Sequence, residues 1–287
     1  MSSPPVVARD LFVEANGLRH HLLVRGKPGA PPIVMIHGLT GQAHTFDAIA
    51  TQLAARYHVY CLDVRGRGES DWGPPDGYHV FNYVADLEAI REALALDRFT
   101  LVGTSMGGLI GMYYASQHPD RVRRVVLNDV GPEIPPEGLQ RIMAYVSHAP
   151  EAFADLKAVV RYYRENYAPM LAHVTDDQVT EFARWHVRKN DTGLFVWKMD
   201  PAIRQFAAPP AGPDPWQAFR GMKCPVLVLR GAVSDVLSAD TAARMCEANA
   251  DCRLVEVPGV GHAPVLVEPA AKKALDEFLE PLASNGS

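Results

Sequence analysis

Short continuous apolar runs alternate along this chain with amphipathic stretches, and that alternation limits the possible folds more than any other feature. Ile33-Val34-Met35-Ile36 follows a Pro/Gly break at 28–32, and strand-like runs recur at 57–62, 100–102, 122–127, 226–229 and 253–257. Unbroken runs rich in β-branched residues suit strands covered on both faces, as in a parallel sheet. Between them lie helix-like stretches at 44–56, 80–96, 107–117, 239–249 and 269–282. In 80–96, Phe81, Val84, Leu87, Ile90 and Leu94 form one apolar stripe, with Asp86, Glu88, Arg91 and Glu92 off it. The pattern predicts an α/β fold with a mostly parallel central sheet flanked by helices and joined by right-handed crossovers. Ahead of it, Leu11 to Ala15 and Leu18 to Arg25 read as a hairpin turning on Asn16-Gly17.

The alternation stops after Asp129. Residues 131–216 hold no convincing buried strand and are bracketed by GPEIPPEG and AAPPAGPDPW. The chain has 10 Phe, 10 Tyr and 4 Trp, and eleven of these aromatics, including three of the Trp, fall in this stretch. We expect a core from 1–130 and 217–287, interrupted by a helical cap or lid at 131–216. Most of its aromatics pack the insert onto the core; Tyr145, Tyr162, Tyr163, Trp185 and Trp197 are candidates for touching substrate.

Composition narrows the function classes. The 28 Lys+Arg against 33 Asp+Glu give a net charge of −5, which does not suit a nucleic-acid surface. No apolar run is long enough to span a bilayer. The segment Met1 to Asp10 lacks the basic and apolar regions of a secretion signal, and the Cys at 61, 224, 246 and 252 lack disulfide-scaffold density. The expectation is a reduced, cytoplasmic globular protein, monomer or homodimer. With no HExxH, paired CxxC, GxGxxG or GxxxxGK[ST] pattern, neither a metal nor a nucleotide cofactor has sequence support.

The sharpest chemical signal is Gly103-Thr104-Ser105-Met106-Gly107-Gly108, set between a strand and a helix-like stretch. A G-x-S-x-G segment in that setting is a nucleophile elbow, a sharp turn that lifts the serine hydroxyl above the sheet. Such a serine needs a base, and the order in this kind of fold is Ser, acid, His. His262, in Gly261-His262-Ala263-Pro264 after the run 253–257, fits the base. Asp235, in Gly231-Ala232-Val233-Ser234-Asp235, is the preferred acid. Asp129, ending Leu127-Asn128-Asp129, is its competitor. For a developing oxyanion, the backbone N–H of Met106 and that of Leu39 in His37-Gly38-Leu39-Thr40-Gly41 are the expected donors. His37 reads as ordering that loop rather than acting as a base.

Taken together, HGLTG at 37–41, DVRGRGES at 63–70, GTSMGG at 103–108, GAVSD at 231–235 and GHAP at 261–264 resemble the α/β-hydrolase superfamily, in its cap-bearing serine esterase and lipase-like branch. The resemblance spans almost the whole chain. It implies a Ser105–Asp235–His262 triad, oxyanion donors at Leu39 and Met106, a helical cap after the strand ending near Asp129, and a structural role for DVRGRGES. A serine rather than an aspartate at the elbow sets the chain apart from the similar dehalogenases and epoxide hydrolases. The expected activity is cofactor-free hydrolysis of a small to medium carboxylic ester, lactone or thioester. A carbon–carbon bond hydrolase of ring-cleavage products is the enzymatic alternative, although those enzymes commonly carry Asn where this chain has Thr104. A ligand receptor retaining the fold without catalysis is the non-enzymatic one.

Overall fold

The computed structural model describes residues 7–168, 171, 174–205 and 211–283. Part of the Pro-rich boundary at 207–216 and most of the segment 1–10 lie outside the described residues.

Strands β1 (Arg9–Ala15) and β2 (Leu18–Arg25) pair antiparallel around Asn16-Gly17, both at positive φ (50° and 75°). This is the backbone that a two-residue primed turn requires. The chain continues through β3 (Pro32–Ile36), α1 (Asp47–Leu53), β4 (His58–Leu62), α2 (Val80–Ala93), β5 (Phe99–Thr104), α3 (Met106–Gln117) and β6 (Val122–Asn128). An intervening segment holds α4 (Pro136–Ser147), β7 (Ala152–Phe153), α5 (Leu156–Asn166), α6 (Asp176–His186), β8 (Val187–Lys189) and β9 (Phe195–Trp197). Then follow α7 (Pro215–Gly221), β10 (Val226–Gly231), α8 (Ala239–Ala248), β11 (Cys252–Val257) and α9 (Pro269–Ala283).

Eight strands form one sheet in the order β1-β2-β4-β3-β5-β6-β10-β11, parallel from β4 to β11. Because side chains alternate across a strand, β3 feeds two cores. Val34 and Ile36 belong to the apolar layer that includes residues of α2, α3, α7 and α8, while Ile33 and Met35 belong to the opposite layer with residues of α1 and α9. All four are at most 2% exposed. Burial of side chains this size is worth about 1.5–3 kcal/mol each before entropy is counted, which accounts for the unbroken apolar run.

Two local departures from the sequence pattern have clear causes. Asp86 and Arg91, off the apolar stripe of α2, are nonetheless buried. Asp86 receives Asn16 from the hairpin at 2.7 Å and the guanidinium of Arg65, so its charge is paired. The segment between β6 and α7, expected to be helical, also carries a three-stranded antiparallel sheet, β7-β9-β8. Its strands are two or three residues long, too short to show a period-two pattern. This segment has its own apolar cluster of Phe153, Val159, Tyr163, Leu171, Val179, Ala183 and Val187. No described helix is long and apolar enough to cross a membrane.

Candidate active site

β5 delivers the chain to Ser105, and α3 begins at the next residue. Ser105 has φ 52° and ψ −118°, a conformation that costs a residue with a Cβ on the order of 1–3 kcal/mol. The tight return of α3 onto β3 is possible because residue 107 is glycine. A Cβ there would sit 2.0 Å from the carbonyl oxygen of Ile36. The elbow thus holds the Ser105 hydroxyl at the C-terminal end of the parallel strands.

Ser105 Oγ lies 2.8 Å from His262 Nε2, and His262 Nδ1 lies 2.8 Å from Asp129 Oδ2. With the Nδ1–H donated to the carboxylate, the Nε2 lone pair faces the serine hydroxyl. Asp129 is fully buried directly after β6, at φ 59°. Its Oδ1 accepts the Gly231 N–H at 2.8 Å, and its Oδ2 also accepts the Ser234 hydroxyl at 2.6 Å. Three donors from two loops therefore converge on one buried carboxylate, as its desolvation demands.

The acid preferred from the sequence, Asp235, is corrected by this geometry. β6 lies between β5 and β10, so the residue ending β6 stands beside the elbow. Asp235 sits further along the loop after β10, where both of its carboxylate oxygens accept from Arg141 of α4, Oδ1 at 2.7 Å from Nη2. That guanidinium holds the Asp235 carboxyl below its usual range. A carboxylate committed to a bidentate arginine is not the one orienting the imidazole.

The loop 37–41 runs beside the nucleophile: a Cβ on Gly38 would lie 3.4 Å from Ser105 Cβ. No described residue accepts from the Leu39 N–H, and the Met106 N–H, at the first position of α3, has no acceptor within its helix. His37 is fully buried; its Nδ1–H donates to Gly38 O at 2.7 Å and its Nε2 accepts the Val64 N–H at 3.0 Å. Burial pushes its pKa down to about 4, so it is a neutral strut between two loops. Arg67 is a contributor that sequence reasoning passed over as part of a structural loop. It is 1% exposed, donates from Nε to Leu39 O at 3.1 Å and from Nη1 to Tyr83 Oη at 3.0 Å, and places Nη2 3.5 Å from Met106 Sδ. One side chain thus ties together both segments carrying the candidate oxyanion donors.

Above Ser105 and His262 opens a cavity of about 770 Å³, within the range of small-molecule sites. Its floor includes Gly38, Leu39 and Thr40; Arg141, Tyr145, Tyr163, Phe182 and Trp185 come from the segment between β6 and α7. Of the aromatic candidates, Tyr145, Tyr163 and Trp185 line this cavity. Tyr162 and Trp197 instead border an adjoining space of about 20 Å³ that shares Tyr145, Tyr163 and Tyr167 with the cavity; Tyr162 donates to Tyr145 O and Trp197 to Pro150 O. Tyr167 was missed; it lines the main cavity and its hydroxyl lies 3.2 Å from Thr40 Oγ1. Its four-residue spacing from Tyr163 was the available signal. Burial raises Tyr145 to about 12 and Tyr163 and Tyr167 well above the usual phenol value, so all three are neutral hydroxyls. Among the described residues, no cluster of three or more His, Cys, Asp or Glu side chains could hold a metal ion.

A serine, a histidine and a buried aspartate gathered beyond the C-terminal ends of a mostly parallel sheet define the α/β-hydrolase class, and the comparisons agree. The family model described as alpha/beta hydrolase fold matches residues 31–164. A 3-hydroxybutyrate-oligomer hydrolase from Cupriavidus necator is 37% identical over 267 residues, 88% of this chain and 90% of that protein. A 2-(acetamidomethylene)succinate hydrolase from Mesorhizobium japonicum is 31% identical across 96% of this chain and 98% of its own. A crystal structure of an alpha/beta hydrolase from Novosphingobium aromaticivorans matches with a TM-score of 0.87 at 37% identity, covering 95% of this chain and 98% of that one. The chain belongs to the α/β-hydrolase family, and these relatives are hydrolases.

Proposed function

We propose that the chain is a serine hydrolase of small to medium carboxylic esters, with Ser105 as nucleophile, His262 as general base and acid, and Asp129 as the carboxylate that orients it. The observation that carries this reading is the unbroken hydrogen-bond line from Ser105 Oγ through His262 to Asp129. His262 Nε2 takes the hydroxyl proton as Ser105 Oγ attacks the acyl carbon. The N–H groups of Leu39 and Met106 receive the oxyanion. The imidazolium, stabilised by Asp129, gives its proton to the departing alcohol. Water then enters by the same route, and the acyl-enzyme is hydrolysed. Residues 131–216 act as the cap, whose side chains choose the acyl and alcohol groups.

The ester assignment draws support from the cavity and from the Cupriavidus relative, whose named substrate is an oligomer of a hydroxy acid; such oligomers are joined by ester bonds. Carbon–carbon bond hydrolysis on the same three residues is the second reading, and Thr104 before the elbow serine weighs against it. Ser105→Ala tests the proposal. The variant should fold normally, lose at least 10³-fold in ester turnover, and escape labelling by a fluorophosphonate that marks the native protein at Ser105. Retained turnover would refute it, and cleavage of a vinylogous diketone but not of simple esters would favour the second reading.

A further inference from the structure

The residue that displaces Asp235 from the triad also points to the kind of ester the cavity takes. Arg141 is the single lysine or arginine lining the large cavity among the described residues. Its guanidinium is held from two sides. Nε and Nη2 fork onto the Asp235 carboxylate, and its carbon Cζ stands 5.8 Å over the ring of Tyr145, another cavity residue. The helix bearing it is docked directly on the Asp235 loop: a Cβ on Gly138 would come 2.1 Å from Asp235 O. Yet a guanidinium has five N–H donors, and Nη1 has no partner among the described residues. The Nη1/Nη2 edge therefore remains free, on a side chain whose orientation is already fixed.

Apart from Asp235, which takes the Nε/Nη2 side of the guanidinium, the other acidic groups of the cavity belong to another wall. Asp47 of α1 is paired with Arg25 and His44, while Asp177 and Glu181 lie on α6. An anionic substrate group is repelled there and attracted at α4. Arg141 and Asp235 line the same cavity as Ser105 and His262, so a substrate held at the cationic edge shares that space with the reacting groups.

We infer that Arg141 is the recognition residue for a free carboxylate on the substrate, and that the substrates are esters whose acyl or alcohol part ends in a carboxylic acid. The substrate carboxylate bridges Nη1 and Nη2 in the bidentate geometry that arginine favours. Asp235 is the positioning residue that aims the fork. This assignment rests on the ester-hydrolase reading, and the test separates the two.

Two esters of one leaving group are compared, the 4-nitrophenyl monoester of adipic acid and the same compound with its terminal acid made a primary amide. The native enzyme should prefer the acid in kcat/KM by roughly ten- to hundredfold, the range of charge-assisted hydrogen bonds. Arg141→Met, which keeps the aliphatic stem, should bring that ratio to about one, with Arg141→Lys between. A ratio unchanged in Arg141→Met, or native preference for the amide, overturns the inference while leaving the hydrolase reading intact. If neither ester is cleaved, the ester reading falls. Calorimetric binding of adipate to Ser105→Ala, with and without Arg141→Met, then decides the carboxylate site alone: binding lost with Arg141 supports it, and equal or absent binding overturns it.

Discussion

Replacing Asp129 by Asn keeps the shape of the buried carboxylate and changes where one proton can sit, so its effect can be worked from the hydrogen bonds. Oδ1 accepts from the Gly231 N–H, a backbone donor that cannot be reversed. The asparagine oxygen must remain there, because an NH₂ facing that N–H would leave a buried donor unpaired, at about 1–3 kcal/mol. The NH₂ then takes the place of Oδ2, facing Ser234 Oγ and His262 Nδ1. The Ser234 hydroxyl can rotate and accept. The imidazole can accept only by moving its proton to Nε2, the nitrogen 2.8 Å from Ser105 Oγ. In that tautomer it cannot take the serine proton.

A triad locked in the wrong tautomer loses roughly 10⁴ in kcat, which corresponds to about 5.4 kcal/mol of barrier. KM should change little, since ester binding does not depend on the tautomer. Asp235→Asn is the matched control. It weakens an ion pair whose side chains are 41% and 34% exposed, an interaction worth less than about 1 kcal/mol after solvent screening, so kcat on a neutral ester should stay within about tenfold. Steady-state hydrolysis of 4-nitrophenyl butyrate by both variants, with circular dichroism to establish folding, makes the comparison. Loss of 10³-fold or more in Asp235→Asn, with Asp129→Asn near native, would refute the assignment of the acid.

Two further outcomes follow from other contacts. Arg67→Met removes the ties to Leu39 O, Tyr83 and Met106 together. It should lower kcat by roughly ten- to hundredfold, a fraction of what deleting an oxyanion donor costs, with a smaller change in KM; unaltered kcat in a folded variant would show that the loop needs no such tie. The His21–Asp63 pair should shape stability with pH. Burial opposes charge on His21, but the hydrogen bonds and charges of Asp63 and Asp10 outweigh it and raise its pKa above 6.5. Its contribution is therefore complete below about pH 6.5 and lost as pH rises through the raised folded value. Burial likewise opposes charge on Asp63, yet the His21 hydrogen bond, His37 and the Glu69 N–H lower its pKa below 3.8. Its contribution is present above that pH and lost as pH falls through the folded value. The pair's own share of stability should be largest from about pH 4 to 6.5, read as the difference in melting temperature between the native protein and His21→Gln, and that difference should shrink as pH rises above the window; a difference unchanged with pH would count against the pairing.

What could be read from the sequence, and what could not, divides by range. The sheet was legible because burial on both faces leaves a local trace: Ile33 to Ile36 must all be apolar when alternate residues enter two cores. The elbow was legible because Gly107 has to clear the Ile36 carbonyl within a few residues of Ser105. His262 could be placed from chain order alone. The acid could not, because Asp129 and Asp235 each follow a sheet strand at their own β–α junction. What separates them is the neighbour of each strand and a partner far off in sequence, Arg141 being 94 residues from Asp235. Arg67 was obscured in the same way, since DVRGRGES declares a turn-rich loop while its contacts to Leu39 and Met106 arise only when three loops meet.

The same distinction explains why the proposed catalytic residues and the residues of the cavity wall differ in legibility. Ser105, Asp129 and His262 are anchored to strands β5, β6 and β11, whose order the parallel sheet constrains. Tyr167 comes from the part of the segment whose cluster, Val159 with Tyr163 and Val179, packs largely on itself, whereas Arg141 and Tyr145 lie on α4, whose Ile142 and Val146 pack with Val236 of the loop after β10. A segment with its own core can change its cavity-facing side chains without disturbing the sheet below. The half-exposed Arg141 side chain belongs to neither apolar cluster, so the cavity wall is written in contacts that no local pattern constrains.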